Sequence, residues 1–205
     1  MAKLYFRHGT VGSAKTLNLL AVAHNYERQG KKIMVIKPGF DDRYGAQEVA
    51  SRAGLHRPAH IVLSPSQKLD RADFDQAQCV LVDEVQFLTP AHIEQLRDIT
   101  DQLRVPVICY GLRTDFRSHL FEGSRRLLEL ADSIEEVKTT CHRCNRKAIF
   151  NLKCVEGAAQ LGGPSQQVAG DETFQPVCSL HYVEALQLDG IEGIDQIIVE
   201  SESTT

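Results

Sequence analysis

The chain has 205 residues, of which 42% are hydrophobic and 24% are charged, and its formal net charge is −4 at pH 7. This is the composition of a soluble globular protein, and a net acidic chain lacks the overall positive charge typical of nucleic-acid-binding domains. Because the opening apolar run ends at Arg7 and no stretch has the length of a membrane span, we expect a cytoplasmic protein with no membrane partner and no nucleic-acid partner.

The first 138 residues alternate short apolar strands with helices. Strands are predicted over residues 4–6, 33–36, 61–63, 79–82, 105–110 and 134–137. Helices are predicted after Ala14, with a stop at Gly30, from Pro90 to about Leu103 with Thr89 as the N-cap, and over 124–131. Such alternation is typical of a parallel sheet flanked by helices, so the predicted fold class is α/β, with ligands at the carboxyl ends of the strands.

The pattern of the chain changes near Thr139. Beyond it the apolar segments are shorter, cysteine and histidine cluster, and residues 161–167 are typical of a loop. We predict domains over 1–138 and 139–189, followed by an acidic and flexible tail over 190–205.

A phosphate-binding loop is predicted between the first strand and the first helix. It has Walker A spacing and consists of Gly9, Thr10, Val11, Gly12, Ser13, Ala14, Lys15 and Thr16. In such a loop the backbone N–H groups bind phosphate oxygens, the lysine reaches the β- and γ-phosphates of ATP, and the threonine hydroxyl binds Mg²⁺. Ala14 stands where glycine is usual. A helical backbone there would make alanine harmless, whereas a positive φ would cost roughly 1 kcal/mol or more. A strand-to-helix turn that binds nothing is the alternative interpretation.

Two carboxylates follow the most apolar strand. Asp83 and Glu84 end the run Val80-Leu81-Val82, which is where a Walker B acid lies in a P-loop protein. Asp83 is therefore the candidate ligand of Mg²⁺. Glu84 is the candidate base, either for a hydroxyl substrate or for water. Solvent-facing acids at a strand end are the alternative.

Three of the six cysteines and one of the eight histidines form two C-x-x-[C/H] pairs. They are Cys141 with Cys144, and Cys178 with His181. Each pair can supply two ligands of a tetrahedral Zn²⁺, and four protein ligands leave no open position, so a structural zinc is predicted. A redox pair at Cys141 and Cys144 is the weaker alternative. Cys79 and Cys109 lie in apolar runs and are predicted to be buried.

Taken together in this order, the motifs resemble the thymidine kinases of the cytosolic and bacterial (type II) family over nearly the whole chain, up to about Asp189. Besides the segments above, the resemblance depends on residues 41–45, 81–88 and 109–117. It implies a P-loop NTPase-like ATP-binding and catalytic domain and a small zinc-containing domain with a lasso loop over the nucleoside. It also implies transfer of the γ-phosphate of ATP to the 5′-hydroxyl of thymidine, and of deoxyuridine as well, for nucleotide salvage. A homotetramer, catalytic Mg²⁺ and feedback inhibition by thymidine triphosphate are further implications.

The resemblance also implies roles for single residues. Glu84 matches the catalytic base, and Lys15, Thr16 and Asp83 match the phosphate and metal residues. Additional residues near ATP and Mg²⁺ are Asp41, Arg43 and Gln86. Gln86 also matches the nucleoside pocket, together with Phe87, Leu112, Phe116 and Phe174. The lasso segment, whose backbone would bind the thymine edge, is matched by Ser165, Gln166, Gln167, Val168 and Ala169.

Three departures from the family pattern stand out. Ala14 replaces glycine, Ala169 stands before Gly170 where two glycines are usual, and Phe174 stands where tyrosine is usual. Loss of one hydroxyl contact at Phe174 would cost roughly 0.5–1.5 kcal/mol and raise KM several-fold.

Two other functions remain as alternatives. One is a P-loop ATPase whose zinc module binds nucleic acid, suggested by basic residues around the first cysteine pair, namely Lys138, Arg143, Arg146, Lys147 and Lys153. The other is an inactive relative that binds nucleotide without phosphate transfer, suggested only by Ala14.

Overall fold

The computed structural model describes residues 1–39, 47–163 and 172–188. The chain divides into two compact units. The first unit consists of Met1–Gly9, Ala14–Arg113 and Phe121–Val137, and the second of Thr10–Ser13, Thr114–Leu120 and the described residues from Lys138 onward. None of the helices in these described ranges is both long and apolar enough to span a bilayer.

The first unit is built on a six-stranded parallel sheet. Its strands are β1 (Leu4–His8), β2 (Ile33–Pro38), β5 (Ile61–Leu63), β6 (Cys79–Val82), β7 (Val107–Gly111) and β8 (Ser133–Glu136), and a separate antiparallel pair consists of β3 (Glu48–Ala50) and β4 (His56–Pro58). The strand order of the sheet is β5-β2-β6-β7-β1-β8. The helices are α1 (Lys15–Arg28), α2 (Pro90–Gln102) and α3 (Glu122–Leu130), with short 3-10 turns at Arg71–Phe74 and Val85–Phe87. The α/β fold is therefore confirmed.

Strand β6 lies near the middle of the sheet, and all four of its residues are buried. Apolar side chains cover both of its faces: Val80 and Val82 belong to one hydrophobic cluster, and Cys79 and Leu81 to the other. A strand covered on both sides has no room for water, so its continuous apolar run is required by its position. The residues that follow β6 consequently leave the core at the carboxyl edge of the sheet, where ligands of such folds bind.

The ends of several elements differ slightly from the sequence prediction. Strand β7 begins at Val107 and not at Val105, because Pro106 has no N–H to contribute to the sheet. Helix α2 begins as predicted: the Thr89 side chain accepts a hydrogen bond from the His92 N–H, and Pro90 is the first helical residue. The β3–β4 pair was not predicted, since neither of its three-residue strands has an apolar run like that of β5.

The second unit has its own sheet and core. Strands β9 (Phe150–Val155), β10 (Ala158–Ala159) and β11 (Glu172–Val177) form an antiparallel sheet in the order β10-β9-β11, and helix α4 (Ser179–Leu188) follows. Leu152, Val177, Tyr182 and Leu186 are among its buried residues. The sequence had predicted a zinc-binding domain over residues 139–189 but none of these strands.

Candidate active site

The predicted phosphate loop connects β1 to α1, and its conformation answers the question posed by Ala14. Ala14 directly precedes α1 and is in the left-handed region, with φ 63° and ψ 25°. Gly12 also has a positive φ, of 75°. A non-glycine residue in this region costs roughly 1–2 kcal/mol, so the loop carries strain at the position where glycine is usual.

Lys15 and Thr16 open α1 beside the acid that ends β6. The Thr16 hydroxyl donates to both carboxylate oxygens of Asp83, each at 3.2 Å. Burial lowers the pKa of Lys15 to about 8, against the opposite effect of the Glu84 and Asp83 carboxylates. Burial also raises the pKa of Asp83 to about 7, and the neighbouring Glu84 charge acts in the same direction. The fold thus concentrates ionisable groups that are costly to bury, which is common at catalytic sites.

The Thr16–Asp83 pair fits a magnesium ion. It offers a hydroxyl at the first turn of α1 and a carboxylate at the end of β6, and these oxygen ligands are of the kind that Mg²⁺ prefers. Asp83 is only 6% exposed. A divalent cation there would favour the charged form of this buried carboxyl group, whose ionisation is otherwise opposed by desolvation.

Glu84 is held in an uncommon backbone conformation. It lies at φ 48° and ψ 39°, in the left-handed region, and begins the 3-10 turn Val85–Phe87. Its side chain is half-buried and accepts a hydrogen bond from Gln86 Nε2 at 2.6 Å. The strained backbone and the short hydrogen bond together fix a carboxylate next to Lys15 and Asp83, as a general base requires.

The outer part of the phosphate loop, Thr10–Ser13, is grouped with the second unit, where Asn151 of β9 binds it. Asn151 Oδ1 accepts the Val11 N–H at 2.8 Å, and its Nδ2 donates to the Thr114 carbonyl at 3.1 Å. Asn151 is only 4% exposed, and its hydrogen bond to the Thr114 carbonyl is buried. One buried amide therefore fixes two segments that are far apart in the sequence.

Of the predicted nucleoside-pocket residues, Gln86, Phe87 and Leu112 belong to the first unit, and Phe116 and Phe174 belong to the second. In the first unit the Phe87 ring contacts Phe121 edge-on, at 5.4 Å between centroids. In the second unit Phe116 is 2% exposed, and its ring centroid lies 6.2 Å from that of Phe174. The Phe116 carbonyl accepts a hydrogen bond from the Tyr182 hydroxyl at 2.6 Å.

Several predicted residues lie outside the described ranges. They are Asp41, Arg43, Ser165, Gln166, Gln167, Val168 and Ala169, and the tail over 190–205 lies outside as well. Their assigned roles stay predictions.

The predicted zinc ligands converge in the second unit. One donor atom from each of Cys141, Cys144, Cys178 and His181 lies within 4.8 Å of all the others. Cys141 Sγ and Cys178 Sγ are each 3.4 Å from His181 Nδ1, and Cys144 Sγ is 3.9 Å from Cys178 Sγ. Tetrahedral ligands at zinc–ligand distances of about 2.0–2.3 Å would be separated by roughly 3.5–3.8 Å, so the cluster has the dimensions of a zinc site.

The surroundings of the cluster favour thiolates. The Arg143 and Arg146 N–H groups donate to Cys141 Sγ and Cys144 Sγ, both at 3.4 Å. Burial alone would raise the pKa of Cys141, but the hydrogen bonds from Arg143 and other groups lower it to about 6. A carboxylate of Glu184 lies 3.7 Å from the other ring nitrogen of His181, where outer partners of metal-bound histidines are often found.

The family model and the curated relatives of this chain agree with one another. The family model described as "Thymidine kinase" matches residues 2–182. The chain belongs to the thymidine kinase family. Curated thymidine kinases similar to it include that of Lactobacillus acidophilus, 46% identical over 193 residues, and that of Lactobacillus johnsonii, 44% identical over 193 residues. Each match covers 89% of this chain and 96% of the relative.

The match to a solved structure, "Crystal structure of Bacteroides Pif1 bound to ssDNA", is much weaker. It has 16% identity and a TM-score of 0.38, and covers 66% of this chain and 38% of that chain. A structural similarity at this level supports no conclusion about the function of this chain.

The structure also corrects the sequence-based interpretation of Lys153. Lys153 had been grouped with the basic residues around the first cysteine pair, but it is only 2% exposed. Its Nζ lies 5.2 Å from the centre of the Phe116 ring and donates to the Gly162 carbonyl at 3.3 Å. The side chain is therefore an internal cation against an aromatic ring and not part of a charged surface.

Sequence reasoning missed Asn151 and Tyr182 altogether. A weak signal did exist for Asn151, since it interrupts an apolar run between Phe150 and Leu152. A polar residue in such a run is usually bonded when it is buried, but its partners cannot be read from the sequence.

Proposed function

We propose that this chain is a thymidine kinase that transfers the γ-phosphate of ATP to the 5′-hydroxyl of thymidine. Deoxyuridine is the expected second acceptor, and the monophosphate would serve nucleotide salvage for DNA synthesis. The observation that carries the proposal is the grouping of Lys15, Asp83 and Glu84 at the carboxyl edge of the sheet in a chain of the thymidine kinase family.

The roles of these residues follow from their chemistry. The ammonium of Lys15 and the N–H groups at the start of α1 would bind and orient the phosphates of ATP. The carboxylate of Glu84 would accept the proton of the 5′-hydroxyl as the oxygen attacks phosphorus. Most of the rate enhancement would come from positioning and charge complementarity, because phosphoryl transfer needs little covalent chemistry from the protein.

Metal ions would contribute in two ways. Mg²⁺, held by Thr16 and Asp83, would neutralise charge on the phosphate oxygens. Zn²⁺, held by the Cys141–Cys144–Cys178–His181 cluster, would fix the fold of the second unit, because all four positions of a tetrahedral ion are filled by protein.

The remaining proposals rest on the family. We infer a cytoplasmic homotetramer that is inhibited by thymidine triphosphate and that contacts the thymine edge through the backbone of residues 165–169. Light scattering tests the oligomeric state, and inhibition kinetics with thymidine triphosphate test the feedback.

A coupled assay of ATP consumption over a panel of nucleosides tests the activity itself. Thymidine and deoxyuridine should be preferred acceptors, and ATP loss should depend on the nucleoside. Glu84→Gln should lower kcat by about 10²–10⁴-fold with little effect on ATP affinity. Glu94→Gln, which changes an exposed carboxylate on α2, is the matched control and should behave as wild type. Nucleoside-independent ATP loss, or wild-type turnover by Glu84→Gln, would contradict the proposal.

A further inference from the structure

The hydrogen bond that reaches Glu84 is the last of a short series inside the first unit. Gln86 Nε2 donates to Glu84 Oε2 at 2.6 Å. At its other end, Gln86 Oε1 accepts the Leu112 N–H at 2.9 Å. The Leu112 carbonyl in turn accepts the Ser124 hydroxyl of α3 at 2.6 Å. The carboxylate is thereby connected through Gln86 to the end of β7 and to helix α3.

The orientation of the Gln86 amide is determined by its two partners. An ionised carboxylate can only accept a hydrogen bond, and a backbone N–H can only donate one. The NH₂ group must therefore face Glu84 and the carbonyl oxygen must face Leu112. With the amide reversed, Gln86 Oε1 would face the Glu84 carboxylate and the NH₂ group would face the Leu112 N–H. Neither contact could be a hydrogen bond, so the amide has one favourable orientation.

The side chain of Gln86 lies in closely packed surroundings. Gln86 is 2% exposed. A Cβ added at Gly111 would lie 2.9 Å from Val85 Cγ1 and closer still to Gln86 Oε1. On the other side, a Cβ at Gly123 would lie 2.6 Å from the Leu88 carbonyl oxygen. Both glycines therefore allow the close packing that holds the turn carrying Gln86.

We propose that Gln86 is a positioning residue that aims the Glu84 carboxylate at the nucleoside hydroxyl, and that it does so without contributing to ATP affinity. This proposal rests on the proposed function, since Glu84 must be the base for its orientation to matter. It differs from the placement of Gln86 among the ATP and Mg²⁺ residues. The strained backbone and the Gln86 amide act on the same side chain. The left-handed φ of Glu84 sets the direction in which its side chain leaves the backbone, and the amide holds the carboxylate at its end.

The experiment measures kcat, KM for thymidine and ATP affinity for four variants beside the wild type. Gln86→Met keeps the length of the side chain and removes both hydrogen bonds. Gln86→Glu keeps the acceptor for Leu112, and it replaces the donor to Glu84 by a carboxylate oxygen that repels the Glu84 carboxylate. Gly111→Ala leaves Gln86 intact but displaces it. Gln95→Met is the matched control, because Gln95 likewise accepts a backbone N–H, that of Leu69 at 3.0 Å, away from the site.

The proposal predicts that kcat falls about 10–100-fold in Gln86→Met, Gln86→Glu and Gly111→Ala, with ATP affinity unchanged. The control variant should keep wild-type kcat. In the Glu84→Gln background, adding Gln86→Met should cause no further loss of kcat, because a residue that acts through Glu84 has nothing left to orient.

Three outcomes would overturn the inference. They are wild-type kcat in Gln86→Glu, a fall in ATP affinity that accounts for the lost activity, and additive losses in the double variant. If Gln86→Met does not fold, Gln86→Glu and Gly111→Ala still test the proposal, since each keeps a carboxyl or amide group at position 86. Failure of the proposed function is separate, because it would show as absent thymidine phosphorylation in the wild type.

Discussion

Replacing Ala14 by glycine should make the protein more stable. The alanine is at φ 63°, where a side chain costs roughly 1–2 kcal/mol that glycine does not incur. Glycine has a counteracting effect of about 0.4–1 kcal/mol, since it gives the unfolded chain more freedom. The difference predicts that Ala14→Gly raises the free energy of unfolding by about 0.5–1 kcal/mol. For a chain of this size that corresponds to a rise in Tm of roughly 1–4 °C.

Thermal and urea unfolding of the nucleotide-free protein measure this effect. Two variants with the opposite change, from glycine to alanine at a positive φ, test the same reasoning. Gly12→Ala introduces a side chain at φ 75°, and Gly30→Ala does so at φ 71° outside the loop, in both cases with no heavy atom within 4 Å of the new Cβ. Both should lower Tm by backbone strain alone, and only Gly12→Ala should also affect ATP binding. A lower Tm for Ala14→Gly than for wild type would refute the reasoning, because the strain at Ala14 would then not exist in solution.

Three further predictions concern other parts of the molecule. Asn151→Leu removes the acceptor of the Val11 N–H and leaves the Thr114 carbonyl without its partner in a buried site, so urea unfolding should show a loss of about 1–3 kcal/mol, and an unchanged free energy of unfolding would contradict this. Zinc removal by a chelator, or Cys178→Ser, should lower Tm and abolish the stoichiometric zinc measured by atomic absorption; a zinc-free wild type of unchanged Tm would contradict this. Burial and then the Arg57 charge lower the pKa of His60, so the unfolded chain binds the proton more tightly, and the free energy of unfolding should fall as the pH drops below about 6.5. His60→Gln should reduce this pH dependence, and an equal dependence in both proteins would exclude His60 as its source.

Much of the candidate site could be predicted because its signals are local. The phosphate loop is a run of eight adjacent residues between a strand and a helix, and Asp83 and Glu84 directly follow a fully buried strand. Each zinc-ligand pair lies within one turn of chain, so its spacing alone indicates the geometry. The assignments that depend on residues 40–46 and 164–171 stay predictions, since these residues lie outside the described ranges.

The sequence could not predict which distant groups would meet. The bond between Val11 and Asn151 joins residues 140 positions apart, and that between Leu112 and Gln86 joins residues 26 apart. Burial of Lys153 against Phe116 likewise depends on how β9 packs, whereas the sequence analysis grouped Lys153 with the basic residues around the first cysteine pair. Such pairings depend on the packing of whole elements, about which spacing along the chain carries no information.

In the phosphate loop, part of the site was determined by the sequence, and one property of Ala14 was determined by the tertiary structure. By itself the sequence determined that the loop has the lysine and the threonine needed to bind phosphate and metal, because those roles depend on residue type and order. Whether Ala14 is harmless or strained was decided only by the tertiary structure. In the loop that connects β1 to α1, Ala14 lies at a positive φ, and the backbone angle of a residue is set by where its neighbours are held.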